Sequence, residues 1–259
     1  MLRSAADGGL VKAMMLVGLL DIELVHPGSQ DYELLLGDAL KWFKRAAEKD
    51  SDEARNNAAA LMADGTEDIR DERSAVDLLK VAAEHGYALA HYNLARLMVD
   101  GRGTVADPKT AFLWVQKAAE QKLAIGELGI GSAYRYGLGI EPDKVKAAEW
   151  YKKAVEHGGV EALAALGNLY ETAEGIEKNV DEAVKLYRRA AEAGDPNGQF
   201  NLGRVYVDGV GVPKDPETGL HWALKAAEQQ LPRAEFGVAN AYFGGVGTGK
   251  NTDKAIEWY

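Results

Sequence analysis

Near the C-terminal end of the chain, Gly244-Gly245-Val246-Gly247-Thr248-Gly249-Lys250-Asn251 comes close to a phosphate-binding loop. Such a loop uses glycines so that backbone N–H groups can cradle phosphates, a lysine to reach them, and a Ser or Thr hydroxyl to hold magnesium. Here Asn251 stands where the hydroxyl is needed, and no strand pattern leads into the loop. A serine nucleophile would need a lysine one helical turn on, in the spacing Ser-x-x-Lys. None of Ser4, Ser29, Ser51, Ser74 or Ser132 has a lysine three residues later. The histidines are His26, His85, His91, His157 and His221; they form no His-Glu-x-x-His, and no two stand four apart on a helix. His85 and His157 each precede a glycine at what reads as a helix C-terminus, where the helix dipole favours a partly positive imidazole. The many carboxylates read as a solvated charged face, from which no acid/base pair stands out. Catalytic, metal and cofactor sites are therefore not expected.

Composition narrows the field further. There is no cysteine, which removes disulfides, thiolate metal sites and cysteine nucleophiles together. A formal net charge of −10 repels phosphate backbones and anionic head groups, so neither nucleic acid nor a membrane is the expected partner. No apolar run reaches the roughly 18 residues that span a bilayer. Ala13 to Leu20, with Arg3 and Lys12 ahead of it, has the look of a short signal-peptide core. Ala13 and Gly18 are five apart, however, as are Ala90 and Ala95, or Ala162 and Gly167, and that pattern assigns the stretch to a repeated helix. The compartment stays open, with a soluble cytoplasmic setting the default.

The elements that must carry any function are set by a period. Ala46, Ala82, Ala118, Ala154, Ala190 and Ala226 recur every 36 residues. A fixed period of this length marks a stacked helical array in which each unit contacts its neighbours. Units are expected near 1–50, 51–86, 87–122, 123–158, 159–194, 195–230 and 231–259, the first and last partial or atypical. The first is longer by five, and the excess falls in His26 to Asp31, where Pro27, Gly28 and Ser29 read as an extended loop. Within each unit a first helix carries two small columns five apart, such as Ala90 with Ala95 and Gly198 with Gly203, around an aliphatic one. Small columns allow helix axes to approach closely. Loop glycines (Gly101 with Gly103, Gly209 with Gly211) stop that helix, and Asp107-Pro108 or Asp215-Pro216 restart the next with a cap acceptor before a proline. The second helix places all five tryptophans (Trp42, Trp114, Trp150, Trp222, Trp258) four before the alanine anchor. That stripe is expected to pack between repeats, each buried member being worth about 3–5 kcal/mol against alanine.

Asn201-Leu202-Gly203, Tyr206, Gly209, Gly211-Val212, Asp215, Trp222 and Lys225-Ala226-Ala227 together resemble the Sel-one-like repeat, a relative of the tetratricopeptide repeat. Gly131, Tyr134, Gly137, Gly139, Ala147, Trp150-Tyr151 and Lys153-Ala154 match it again. Departures are local: the long first loop, Glu67 in place of a loop glycine, and Ala173 in place of another. The resemblance implies an all-α, right-handed α/α superhelical solenoid of about seven 36-residue helix-turn-helix repeats, serving as an adaptor or scaffold for protein complexes. Offsets 3, 6 and 10 of each first helix then line the concave groove. The residues expected to meet a protein or peptide there are Asn93, Arg96, Asp100, Tyr136, Asn168, Asn201, Arg204, Asp208 and Asn240. Arg and Asn donors at regular intervals suit an extended peptide. The same residues could instead bind neighbouring repeats, with Arg96 paired to Asp100. A groove hydrolase and a purely structural spacer are the alternatives to a scaffold. The chain opens on what reads as the tail of a second helix and stops at Tyr259 inside another, so a longer array or end-to-end self-association is a further expectation.

Overall fold

Why do helices of one length recur? Eleven consecutive helices, α4 to α14, are each 13 residues long, because the same start and stop signals recur in every repeat. The computed structural model describes residues 1–24, 29 and 31–259. The loop expected around Pro27 and Gly28, together with His26, lies outside them. Among the described residues the chain forms fifteen helices and no strand. It divides into two compact units, Met1–Gly126 with Leu138–Ile140, and Glu127–Gly137 with Glu141–Tyr259.

The first unit holds α1 (Leu2–Asp7) and the hairpins α2 (Val11–Glu23) with α3 (Tyr32–Ala47), α4 (Asp52–Asp64) with α5 (Glu72–Glu84), and α6 (Ala88–Asp100) with α7 (Pro108–Glu120). The second holds most of α8 (Ala124–Tyr136), then α9 (Lys144–Glu156), and the hairpins α10 (Val160–Thr172) with α11 (Val180–Glu192), α12 (Pro196–Asp208) with α13 (Pro216–Glu228), and α14 (Pro232–Gly244) with α15 (Thr252–Trp258). Ala13 to Leu20 lies inside α2, as a repeat helix requires.

The turns into α5, α7, α9, α11, α13 and α15 are closed by the same pair of bonds; Asp31, before α3, makes no side-chain cap bond. The side chains of Asp71, Asp107, Asp143, Asn179, Asp215 and Asn251 accept from the first turn of the helix they precede. Their own backbone N–H groups donate back to Met62, Met98, Tyr134, Tyr170, Tyr206 and Tyr242, at 2.8–2.9 Å. Side-chain hydrogen bonds from Ser74, Thr110 and Thr218, followed by the backbone N–H bonds of the same residues, hold the carboxyls of Asp71, Asp107 and Asp215 below their ordinary value.

The tightest constraint is in the loop. Gly103, Gly139, Gly175 and Gly247 have φ between +66° and +74°, and a Cβ there would lie 2.0–2.1 Å from the carbonyl oxygen of Glu72, Pro108, Lys144 or Pro216. That carbonyl belongs to the start of the preceding repeat's second helix, so only a hydrogen fits between the two backbones.

The tryptophan stripe needs a correction. All five tryptophans are half-buried, not buried. The buried position comes one residue later: Phe43, Leu79, Tyr151 and Tyr187 are 0–1 % exposed. A helix turns about 100° per residue, so one step carries a side chain from the seam to its edge. At that edge Arg45, Lys117, Lys153 and Lys225 lie over the indoles at 3.9–4.7 Å, keeping one face of each ring toward water. The seam rings rest instead on first-helix glycines: Gly131 faces Tyr151 and Gly167 faces Tyr187, each closer than a Cβ would tolerate.

Two stability orders follow. Tyr151→Ala should cost roughly 3–5 kcal/mol and Trp150→Ala markedly less, as read by urea denaturation. Gly158 shares the positive φ but would place its Cβ in open space. Gly158→Ala should therefore cost only the left-handed strain, about 1–2 kcal/mol. Gly175→Ala should cost about 1–3 kcal/mol more, from overlap with Lys144; equal costs would remove the close approach as a constraint.

Candidate functional site

In the second unit, the helix face carrying the offset-3 and offset-6 positions builds a polar pocket of about 360 Å3. Tyr136 and Ser132 reach it from α8, Asn168 from α10, and Asn197 and Asn201 from α12. Three of the residues expected from sequence, Tyr136, Asn168 and Asn201, thus converge on one cavity. Tyr136 is 64 % exposed and Asn201 9 %, so the pocket offers one open ring, the half-buried amides of Asn168 and Asn197, and the buried amide of Asn201.

Arg135 anchors this pocket. Its guanidinium donates to Asn168 Oδ1 and, at 3.3 Å, to Glu174, which Lys144 also reaches at 3.3 Å. The Arg135 hydrogen bond outweighs partial burial and holds the Glu174 carboxyl below its ordinary value. Ser132 Oγ lies 3.1 Å from Tyr151 Oη and so is engaged with a phenol, not a base. Arg233 donates to Asn197 Oδ1 and stacks over Phe200 at 4.8 Å.

Further along α12, Arg204 is bound by Glu171, which also accepts from Tyr187 Oη at 2.8 Å, and it approaches Asp208 at 3.9 Å. Burial pushes the Tyr187 phenol up, and the neighbouring Glu171 adds to the shift. Asn240 accepts from Tyr259 Oη at 2.9 Å.

In the first unit, Asn93 donates to the buried Asn56 at 2.8 Å, and Arg96 forms a two-point contact with Asp64 of the preceding repeat. Asp64 also receives Arg102 at 2.9 Å. Burial resists its ionisation, but the bonds from Arg96 and Arg102 prevail and lower the carboxyl. The partner that the helix spacing offered Arg96, Asp100, is exposed, and the guanidinium reaches back a repeat instead. Both arginines of the Asn-Arg-Asp sets are thus tied between repeats.

The histidines have structural partners. His85 and His157 cap α5 and α9, and each Nδ1 meets a carboxylate at the start of its own repeat, Asp52 at 2.9 Å and Glu127 at 2.8 Å. Buried His91 stacks on Trp114 and donates from Nε2 to the Ala83 carbonyl; burial keeps its imidazole below its ordinary value. Among the described residues no three His, Asp or Glu side chains gather as a metal-ligand set. No helix there is long and apolar enough to cross a membrane. In the loop at Gly244–Asn251, Gly247 is the residue pressed on Pro216, which accounts for the glycine without a phosphate.

Sequence reasoning missed Arg135, Glu174 and Arg233. For Arg135 the signal was available: offset 9 of the first helix reads Val99, Arg135, Glu171 and Val207, a column that changes charge from repeat to repeat; Glu174 and Arg233 lie outside it. Because the Glu174 carboxyl is lowered on folding, its contribution is present above its ordinary value of 4.5 and lost as pH falls through the folded-state value. Glu174→Gln should cost about 1–2 kcal/mol at pH 7, and the gap from the parent chain should narrow below pH 4.5 in urea titrations.

The description "Sel1 repeat" fits residues 11–51, 52–87, 88–123, 124–159, 160–195, 196–231 and 232–259. No curated protein matches the chain. Among solved structures, a Sel1 repeat protein from Oxalobacter formigenes is similar at 28 % identity over 93 % of this chain and 94 % of that one, with a TM-score of 0.73. A protective antigen of uropathogenic Escherichia coli, displaying an SLR fold, is 32 % identical over all of this chain, with a TM-score of 0.66. This chain spans about half of that one, 54 %. An immunity protein of Pseudomonas aeruginosa shares the fold at 21 % identity over 92 % of this chain and 79 % of its own, with a TM-score of 0.59. Seven matched repeats, all-helical hairpins and solved solenoids of the same kind agree, and the chain belongs to the Sel1 repeat family.

Proposed function

We propose that the chain is a non-catalytic interaction scaffold that holds an extended segment of a partner protein along the inner face of its repeats. Sel1 repeat proteins are in general protein-interaction scaffolds, and the coarse assignment rests on the family. The finer one rests on a single observation: Tyr136, Asn168 and Asn201, from three successive first helices, line one open polar pocket. Amides and a phenol spaced by one repeat match the alternating donors and acceptors of an extended backbone. Within the second unit Arg204, Asp208 and Asn240 would extend this recognition beyond the polar pocket; Asn93, Arg96 and Asp100 would be the binding residues of the first unit. The serine in the pocket faces Tyr151, which supports binding over hydrolysis.

Arg96 and Arg204 are poor probes of this reading, since each ties two repeats together and its loss would alter stability as well as binding. Tyr136 and Arg233 are exposed. The double variant Tyr136→Glu/Arg233→Glu should keep native helicity by circular dichroism and lower recovery of co-purifying protein at least about tenfold, the loss of an interface anchor. Unchanged recovery with intact helicity would reject the inner face as the binding surface.

A further inference from the structure

A second cavity, of about 290 Å3, lies on the second unit among α12, α13 and α14. It is the repeat-equivalent of the ground around Tyr151, 72 residues on, and four substitutions explain why it is open. In the earlier repeat the space is filled from within: Tyr151 is 1 % exposed, and Arg135 and Glu174 pair beside it. The next repeat fills it with Tyr187, 0 % exposed. At α12 and α13 the same columns read Ala223 for the tyrosine, Val207 for Arg135, Val246 for Glu174 and Gly219 for Ala147. Each exchange removes volume or charge. The two helices close in only so far, since a Cβ on Gly203 would already stand 2.7 Å from the Gly219 carbonyl oxygen.

We propose that this pocket receives a tyrosine side chain of the bound polypeptide, an assignment that rests on the inner face being the binding face. Size permits it: a dry apolar cavity of about 150 Å3 accepts benzene, and this one is larger. The neighbouring repeats show what the position holds, a phenol ring seated on a first-helix glycine with its hydroxyl turned to the offset-6 or offset-9 side chain. Here those side chains are Arg204 and Val207. The polar groups in the lining are Arg204 and Asn240, with no Asp or Glu. Asn240 Oδ1 already accepts from Tyr259, so its amide N–H groups are what it presents to an occupant. Arg204 is already paired with Glu171, so the amide N–H groups of Asn240 are the donors left to meet an oxygen acceptor, while the lining holds no carboxylate to take an ammonium or guanidinium. The two pockets share one helix. The helix that carries Asn197 and Asn201 to the polar pocket carries Gly203 and Val207 to this one. A bound segment that crosses α12 from the face of Asn197 and Asn201 to that of Gly203 and Val207 meets both.

The test uses the full chain and small probes. Titration with p-cresol, followed by 1H–15N NMR, should give saturable shifts at the amides of Gly203, Gly219 and Ala223. Benzylamine, of similar size but cationic, should bind at least about tenfold more weakly. Ala223→Tyr restores the ring from within and should abolish p-cresol binding while preserving helicity; Val207→Phe blocks the same space if that variant does not fold. Absence of saturable p-cresol shifts, or binding undiminished in the folded blocked variant, would overturn the proposal. Partner recovery supplies the separating arm. Loss with Ala223→Tyr as well as with Tyr136→Glu/Arg233→Glu supports it. Recovery that survives Ala223→Tyr but not the double variant leaves the scaffold reading standing and removes this pocket from it.

Discussion

Between successive repeats, a loop glycine and the first carbonyl of the previous second helix come within the thickness of a hydrogen atom. This contact recurs at Gly103, Gly139, Gly175 and Gly247 and fixes how closely each of those loops approaches the helix start it meets. Helix length, cap chemistry and the small columns all serve the spacing it sets. The cap residue's N–H returns to the residue closing the first-helix stripe, which holds the loop at the height where its glycine meets the neighbour. Dispersion and burial in the seam then stabilise an arrangement whose geometry the backbone has already chosen.

The seam divides labour between two adjacent residues of the second helix. One, exemplified by Tyr151 and Tyr187, is sealed and seated on glycine; the other, the tryptophan, lies at the edge beneath a lysine or arginine. The sealed phenols keep their hydroxyls on Ser132 and Glu171, so burying them strands no polar atom. Their reach toward the offset-6 face also couples the core to the inner surface. A change in seam residues alters what that surface offers, as the alanine at position 223 illustrates.

Much of this was legible from spacing alone. The period, the caps at Asp107 and Asp215, and the stop glycines are local signals, and local signals survive in a single sequence. The sealed column was not. Its positions, the sealed Phe43, Leu79, Tyr151 and Tyr187 and the half-buried Val115 and Ala223, vary in type, whereas the tryptophans beside them stand out, so the conspicuous column reads as the buried one. Tyr136, Asn168 and Asn201 line one pocket because equivalent faces of successive first helices recur with the repeat. The partners of Arg96 and Arg204 lie 32 and 33 residues away, and side-chain reach across two repeats has no signature in spacing. For Arg96 the spacing points to the nearer carboxylate four residues on, Asp100.

The placement of the tryptophans has a practical side. Each indole occupies an equivalent station in its own repeat, part in solvent and under a cation in four of the five. Since a stacked array owes its stability to terms within repeats and between neighbours, these rings form a built-in row of fluorophores. Chains retaining one indole apiece would report, by emission wavelength, in what order the stations come apart.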